Sequence, residues 1–172
     1  LFRSGIRKHS SIPISVDTRK ACVLKAALSA GADILNDISA LEDDDQMGRI
    51  SAEADIPVIL MHKRGNPLNM QKNTVYADVL DEVSSYLQQR CRYAFSCGIK
   101  PEKLILDPGI GFGKDLHANT LLIQHCDAFL NIADSRQQNH VLIALSRKTC
   151  IGELTGRSIE QRLTGTICAN LL

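Results

Sequence analysis

The chain has 172 residues, of which 44% are hydrophobic, 23% charged and only 5 are proline, so it carries enough apolar material for one packed core and too much for a disordered chain. Its 20 basic and 19 acidic side chains leave a formal net charge of +1, and no overall field draws it to nucleic acid or to an anionic membrane. The expected partner is a small molecule.

No apolar run approaches the roughly 18 residues of a membrane span, and the opening LFRSGIRKHSS lacks the apolar core of a secretory signal, which predicts a cytoplasmic protein. The cysteines Cys22, Cys91, Cys97, Cys126, Cys150 and Cys168 show no CxxC pairing and sit mostly in apolar, helix-like surroundings. That pattern predicts buried free thiols in a reducing compartment. The first residue is not Met, and the final TICANLL reads as an amphipathic helix with no stop signal, so the chain reads as an excerpt.

In chain order, IPISVD (12–17) is the first candidate strand. Leu24, Ala27 and Leu28 then form an i, i+3, i+4 stripe, with Asp17 or Thr18 placed to cap the helix and Gly31 to end it. ADILND (32–37) is the second strand, and the acidic run 43–45 behind it suits the first turn of a helix. IPVILMH (56–62) is the third; Leu80, Val83, Leu87, Cys91 and Ala94 mark the helix that follows, closing at Gly98 ahead of Pro101. KLILD (103–107) and HVLIALS (140–146) are the fourth and fifth strands, and Ser158 with Gln161 predicts a capping box on the last helix. The strands show little alternation, as expected of parallel strands covered on both faces. Strand followed by helix, repeated, is an α/β pattern, and periodicity leaves a doubly wound sheet and a (β/α)8 barrel equally open. A barrel takes about 250 residues, so as a barrel this chain holds about five of the eight units.

Polar residues collect at the C-terminal ends of the strands: Asp17, Asn36, Asp37, His62, Asp107, Ser146 and Lys148. Both architectures build sites there. ILDPGIGFGK (105–114) is the most informative stretch. It is not a Walker A loop, which needs Gly at Pro108 and Ser or Thr at Asp115, nor a dinucleotide fingerprint, which needs Gly at Lys114. Gly109, Gly111 and Gly113 let backbone approach a planar ring, Phe112 offers an aromatic face, and Asp107 can accept two hydrogen bonds from a guanidine-like N–H pair. Asp107 capping the next helix is the competing reading. In MHKRGNPLNMQ (61–71) a strand ends in His62 and Gly65 with Pro67 shapes a loop able to cover a site; an inert surface loop with a metal-free histidine is the alternative. In SRKTCIG (146–152) Arg147 and Lys148 form either a solvated pair or a contact for an anion or carbonyl. Asp17 and Asn36 are either site residues or helix caps.

SVDT (15–18), ILNDIS (34–39), MHKRGNPLNMQ, LDPGIGFGK (106–114), LSRKTCIG (145–152) and RLTGT (162–166) follow one another in the order and approximate spacing of the dihydropteroate synthase family, which this chain resembles over nearly its whole length. The resemblance implies one incomplete pterin-binding domain over 1–172 and a partial (β/α)8 TIM barrel. It also implies condensation of a dihydropterin methyl diphosphate with p-aminobenzoate. Asp107 and Asn36 would bond the pyrimidine edge of the pterin, with Asp17 near the ring and Met61 packed on it. Lys148 would reach the pterin carbonyl, and Asp17, Asp107 and Lys148 would be the catalytic residues. Phe112 and Thr149, where the family commonly has Ser, would border the p-aminobenzoate pocket, with Ser146 and Arg147 close by and Lys114 near. Mg2+ would neutralise the diphosphate through oxygen and water ligands, with no ligand from the residues present. A homodimer is implied for the full-length protein. The family's first, second and last strands, with their asparagine, p-aminobenzoate loop and diphosphate-binding arginine and histidine, have no counterpart here, so the piece alone is expected to be inactive and poorly soluble. A corrinoid-dependent pterin methyltransferase and a non-catalytic pterin-binding module are the rival readings.

Overall fold

The computed structural model describes residues 2–65, 74–133 and 139–171. After helix α1 (Phe2–Arg7), strand and helix alternate: β1 (Ser15–Asp17), α2 (Ala21–Ser29), β2 (Ile34–Asp37), α3 (Gln46–Glu53), β3 (Val58–Met61), α4 (Val79–Ser96), β4 (Leu104–Asp107), α5 (Leu116–Gln124), β5 (His140–Val141), α6 (Thr149–Thr155) and α7 (Leu163–Ala169). All five strands are parallel, in the order β1-β2-β3-β4-β5. A doubly wound sheet reverses its order at a switch point; this one never does. Right-handed crossovers in an unreversed order put every helix on one side, which is the arrangement of a (β/α)8 barrel, here as five consecutive units.

The core lies between that side of the sheet and the helices. Val16, Leu35, Leu60, Leu104 and Leu106 meet Leu24, Met47, Val83, Leu87, Leu122 and Phe129, all buried. Helices α2 and α3, α4 and α5, and α5 and α6 pack side by side over it. Helix α4 shows how local chemistry sets an element. Asp78 accepts from the Asp81 N–H at 3.0 Å to start it, Val79, Val83, Leu87, Cys91 and Ala94 form its buried stripe, and Pro101 follows shortly after its end.

Several local expectations change. Strand β3 is buried throughout, but β1 and β2 alternate in burial, the helix-side Val16, Leu35 and Asp37 being their buried residues. Strand β5 has two residues instead of the seven predicted, since its chain leaves β4 soon after Val141, with Leu142 giving a last bond to the Leu106 carbonyl at 2.9 Å. Neither Asp17 nor Thr18 caps α2: the Thr18 hydroxyl accepts from Lys20, and Asp44 reaches across to accept from the Ala21 N–H at 2.8 Å. The acidic run therefore precedes α3 and ties it to α2. Ser158 heads a short 3-10 turn without a side-chain cap and donates to Glu160, so no capping box forms, and α7 begins only at Leu163. All six cysteines are free, yet only Cys91 and Cys150 are buried; Cys22 and Cys168 face solvent. Among the described residues no helix is long and apolar enough to cross a membrane.

Candidate pterin site

Register decides which strand-end side chains share a face. Asp17 is level with Asn36, Asn36 with Ile59, and Met61 with Asp107. Alternate residues of a strand point the same way, so Asp17, Asn36, Met61 and Asp107 all stand on the face opposite the helices, near the C-terminal ends of their strands. Four of the residues singled out by sequence are thus brought onto one surface.

Asp107 is 5% exposed, and its Oδ1 accepts from the Gly109 N–H at 2.7 Å. It does not cap the next helix; Asp115 does, accepting from Ala118 at 2.8 Å. Burial pushes the Asp107 carboxyl up, and the Gly109 N–H with the Lys148 and Lys114 ammonium groups pulls it back. Across β2, Asn36 Oδ1 is buried and has no hydrogen-bond partner among the described residues. A sealed carbonyl without a donor is costly in a folded protein unless a ligand supplies one.

The residue after Asn36 is anchored on the helix side. Asp37 points to the helix side and is fully buried, accepting from the Ser39 N–H at 2.8 Å, the Ser39 hydroxyl at 2.6 Å and the Leu41 N–H at 2.9 Å. Those bonds hold Ala40 and Leu41 in left-handed backbone, at φ 49° and 66°. Arg90 from α4 adds a bond to the Ala40 carbonyl at 2.7 Å. Strain of this kind persists only where surrounding contacts over-determine it.

The glycine-rich loop closes the site. Gly109, at φ +71°, passes so near β3 that a Cβ there would lie 1.8 Å from the His62 carbonyl oxygen. Lys114 turns back under the loop, 3% exposed, with Nζ at 2.9 Å from His62 Nδ1, 3.0 Å from the Gly109 carbonyl and 3.1 Å from the Phe112 carbonyl. Three acceptors match the three donors of an ammonium group. Burial still draws Lys114 down to about 7. Burial first, and then the Lys114 charge, lower His62 to about 3, so the ring is a neutral acceptor packed edge-on against Tyr86. The His62 found at the end of the third strand is therefore a buried structural group. The part of its motif over residues 66–71 lies outside the described residues.

Lys148 enters from the other side. Its Nζ donates to the Ile110 carbonyl and lies 4.8 Å from the centre of the Phe112 ring, with burial lowering its pKa and Asp107 opposing that shift. Ser146, Arg147 and Thr149 are exposed around it. Phe112, Asn119, Arg147, Lys148, Thr149 and Arg162 line a cleft of about 670 Å3. The RLTGT motif now has a structural use that its sequence did not disclose. Arg162 donates to the Arg147 carbonyl at 3.1 Å and the Lys148 carbonyl at 3.4 Å, and Thr166 Oγ1 accepts from the Arg147 N–H at 3.1 Å. Gly152 makes room, since a Cβ there would sit 2.4 Å from the Arg162 guanidinium. Asp37, Asn119, Arg162 and Thr166 are supporting residues whose use the sequence did not show; Asp37 read as a strand-end acid, Arg162 and Thr166 appeared only as part of RLTGT, and Asn119 carried no signal. Among the described residues no group of three His, Cys, Asp or Glu side chains could hold a metal ion.

A sequence profile described as pterin binding enzyme matches residues 4–172. The chain is 40% identical over 164 residues to the dihydropteroate synthase of Neisseria meningitidis serogroup B, covering 93% of this chain and 56% of that protein. Among solved structures, the dihydropteroate synthase of Xanthomonas albilineans with 4-aminobenzoic acid matches with a TM-score of 0.88 and 37% identity, over 98% of this chain and 58% of that one. The same enzyme in complex with 7,8-dihydropteroate matches at 0.85 and 37%, over 98% and 60%. The chain thus spans little more than half the length of the relatives it matches. With a matching profile from residue 4 to the end and strand-end polar groups gathered on one face of a barrel-type sheet, the chain belongs to the pterin binding enzyme family.

Proposed function

We propose that the protein to which this chain belongs catalyses the dihydropteroate synthase reaction, condensing (7,8-dihydropterin-6-yl)methyl diphosphate with p-aminobenzoate to give 7,8-dihydropteroate and diphosphate. One observation carries the reading most directly: Asn36, with its buried and unpartnered Oδ1, shares a face with the carboxylate of Asp107. A pterin edge presents ring N–H and amino donors to such a pair, and burial makes each bond count for more. Asp17 stands beside Asn36 near the ring, Met61 beside Asp107 packs on it, and Lys148 reaches its carbonyl. Phe112, Ser146, Arg147 and Thr149 surround p-aminobenzoate in the adjoining cleft. The residues 1–172 act as one part of a single pterin-binding domain.

In the reaction the carbon–oxygen bond between the pterin methylene and diphosphate breaks, and a carbon–nitrogen bond to the neutral arylamine forms, releasing a proton. Positive charge developing in the pterin as diphosphate departs is stabilised by the fixed carboxylates of Asp17 and Asp107 more than the ground state is. Mg2+ would neutralise the diphosphate through oxygen and water ligands. The same reading places the enzyme in the cytoplasm and makes it a homodimer when full length. A pterin methyltransferase would share Asp107 and Asn36, but the relatives reported above are synthases.

Calorimetric titration with a dihydropterin lacking the diphosphate tests the assignment. Asp107→Asn is expected to weaken binding about tenfold to a hundredfold, the worth of hydrogen bonds to a charged acceptor. Equal affinity in the variant would remove Asp107 from the site.

A further inference from the structure

Helix α5 sends one buried polar side chain into the glycine-rich loop. Asn119 is 3% exposed; its Oδ1 accepts from the Gly111 N–H at 2.7 Å and its Nδ2 donates to the Lys114 carbonyl at 3.2 Å. The two bonds bracket Phe112 in sequence, one on each side. The helix that carries Asn119 is itself anchored, because Asp115 caps its first turn and the Asn119 N–H donates to the Asp115 carbonyl at 3.0 Å. A side-chain amide on a fixed helix thus dictates the path of backbone 111–114.

Asp107 is held by other means. It sits in the β3–β4 ladder opposite Met61, the His62 N–H donates to its carbonyl at 2.9 Å, and its carboxylate bonds the Gly109 N–H. None of those contacts passes through Asn119. Removing Asn119 therefore loosens the segment that aims Phe112 into the cleft shared with Arg147, Lys148 and Thr149, while the carboxylate on the pterin face keeps its supports.

We infer that Asn119 is a positioning residue for the arylamine half of the site: acting through Phe112, it sets affinity for p-aminobenzoate and leaves pterin recognition alone. The inference rests on the synthase reading given above. It predicts a split between the two substrates that a residue of purely structural importance would not produce.

The test is steady-state kinetics on the full-length protein. Asn119→Leu keeps the side chain's approximate volume and removes both bonds; it is expected to raise KM for p-aminobenzoate about tenfold, the scale of losing paired buried hydrogen bonds, with KM for the pterin diphosphate changed less than about twofold. Asn119→Asp keeps an acceptor for Gly111 and loses the donor to Lys114. It is expected to recover part of the loss, and it supplies the measurement if the leucine variant does not fold. Equal shifts for both substrates, or none for p-aminobenzoate, in a folded variant would overturn the inference. An unaltered protein that forms no dihydropteroate would overturn the synthase reading and this inference with it, a result distinguishable from an active enzyme whose variants show no split.

Discussion

The β3–β5 half of the site and the β1–β2 half are built differently. In the first, the Gly109 N–H bonds the Asp107 carboxylate, and Lys114, Lys148 and Asn119 bond the loop backbone at Gly109, Ile110 and Gly111. In the second, the buried Asn36 carbonyl, level with Asp17, has no donor among the described residues. One half is tied by bonds within the chain, and in the other Asn36 offers a buried acceptor without a partner among the described residues. Substitutions of the groups that only brace the first half, Gly109 and His62, should therefore register as lost stability, and substitution of Asn36 in the second as lost affinity.

The sharpest attempt to break that contrast is Gly109→Ala. A methyl group placed 1.8 Å from the backbone oxygen of His62, at positive φ, forces either the loop or the end of β3 to move. The cost is expected to be about 4 kcal/mol or more, read as a collapse of the thermal midpoint. An alanine variant that melts with the unaltered protein would show that the loop is not locked.

His62 gives the next largest effect, through pH. Its folded pKa of about 3 lies below the ordinary 6.5, so between those values the unfolded chain binds a proton that the folded one refuses. Stability contributed by the neutral ring is full above pH 6.5 and is lost as pH falls toward 3. Asp37 and Asp107, both raised, act in the opposite sense over part of that window, but they are common to variant and parent. His62→Asn, which keeps an acceptor for Lys114, should flatten the difference by roughly 3 kcal/mol between pH 6.5 and 4 in denaturant titrations. Parallel curves for the two proteins would mean that His62 titrates freely.

The smallest expected change is the most diagnostic of the open half. Asn36→Leu removes a buried carbonyl that lacks a donor, so the ligand-free protein should melt at the same temperature or gain up to about 1 kcal/mol, while pterin affinity falls about tenfold. A large loss of stability would show that Asn36 is held by the protein, and the contrast between the halves would fail.

The strand-end residues were legible because two patterns leave marks in sequence: apolar runs ending in Asp17, in Asn36 with Asp37, in His62 and in Asp107, and a glycine-rich loop that fits no generic phosphate motif. The supporting residues were not. Asn119 sits on a helix where an asparagine ordinarily means a solvated position, and nothing along the chain says that it reaches Gly111 and Lys114. Asp37 reads as a second strand-end acid beside Asn36, yet strand parity turns it to the opposite side, where it shapes the loop and stays away from the site. His62 could be read as part of an exposed loop, yet it is buried, because Lys114 comes back beneath the loop to meet it.

By itself the sequence determined the alternation of strands and helices, the small-molecule character of the expected partner and the family, since these depend on local periodicity, composition and the order of short motifs. Only the tertiary structure decided that the sheet runs in unreversed order, that Asp17, Asn36, Met61 and Asp107 share one face, and that one half of their site is braced while the other is open. Those outcomes depend on register and on hydrogen bonds between segments far apart in the chain, such as that between Lys114 and His62, and no local pattern encodes the meeting of two distant segments.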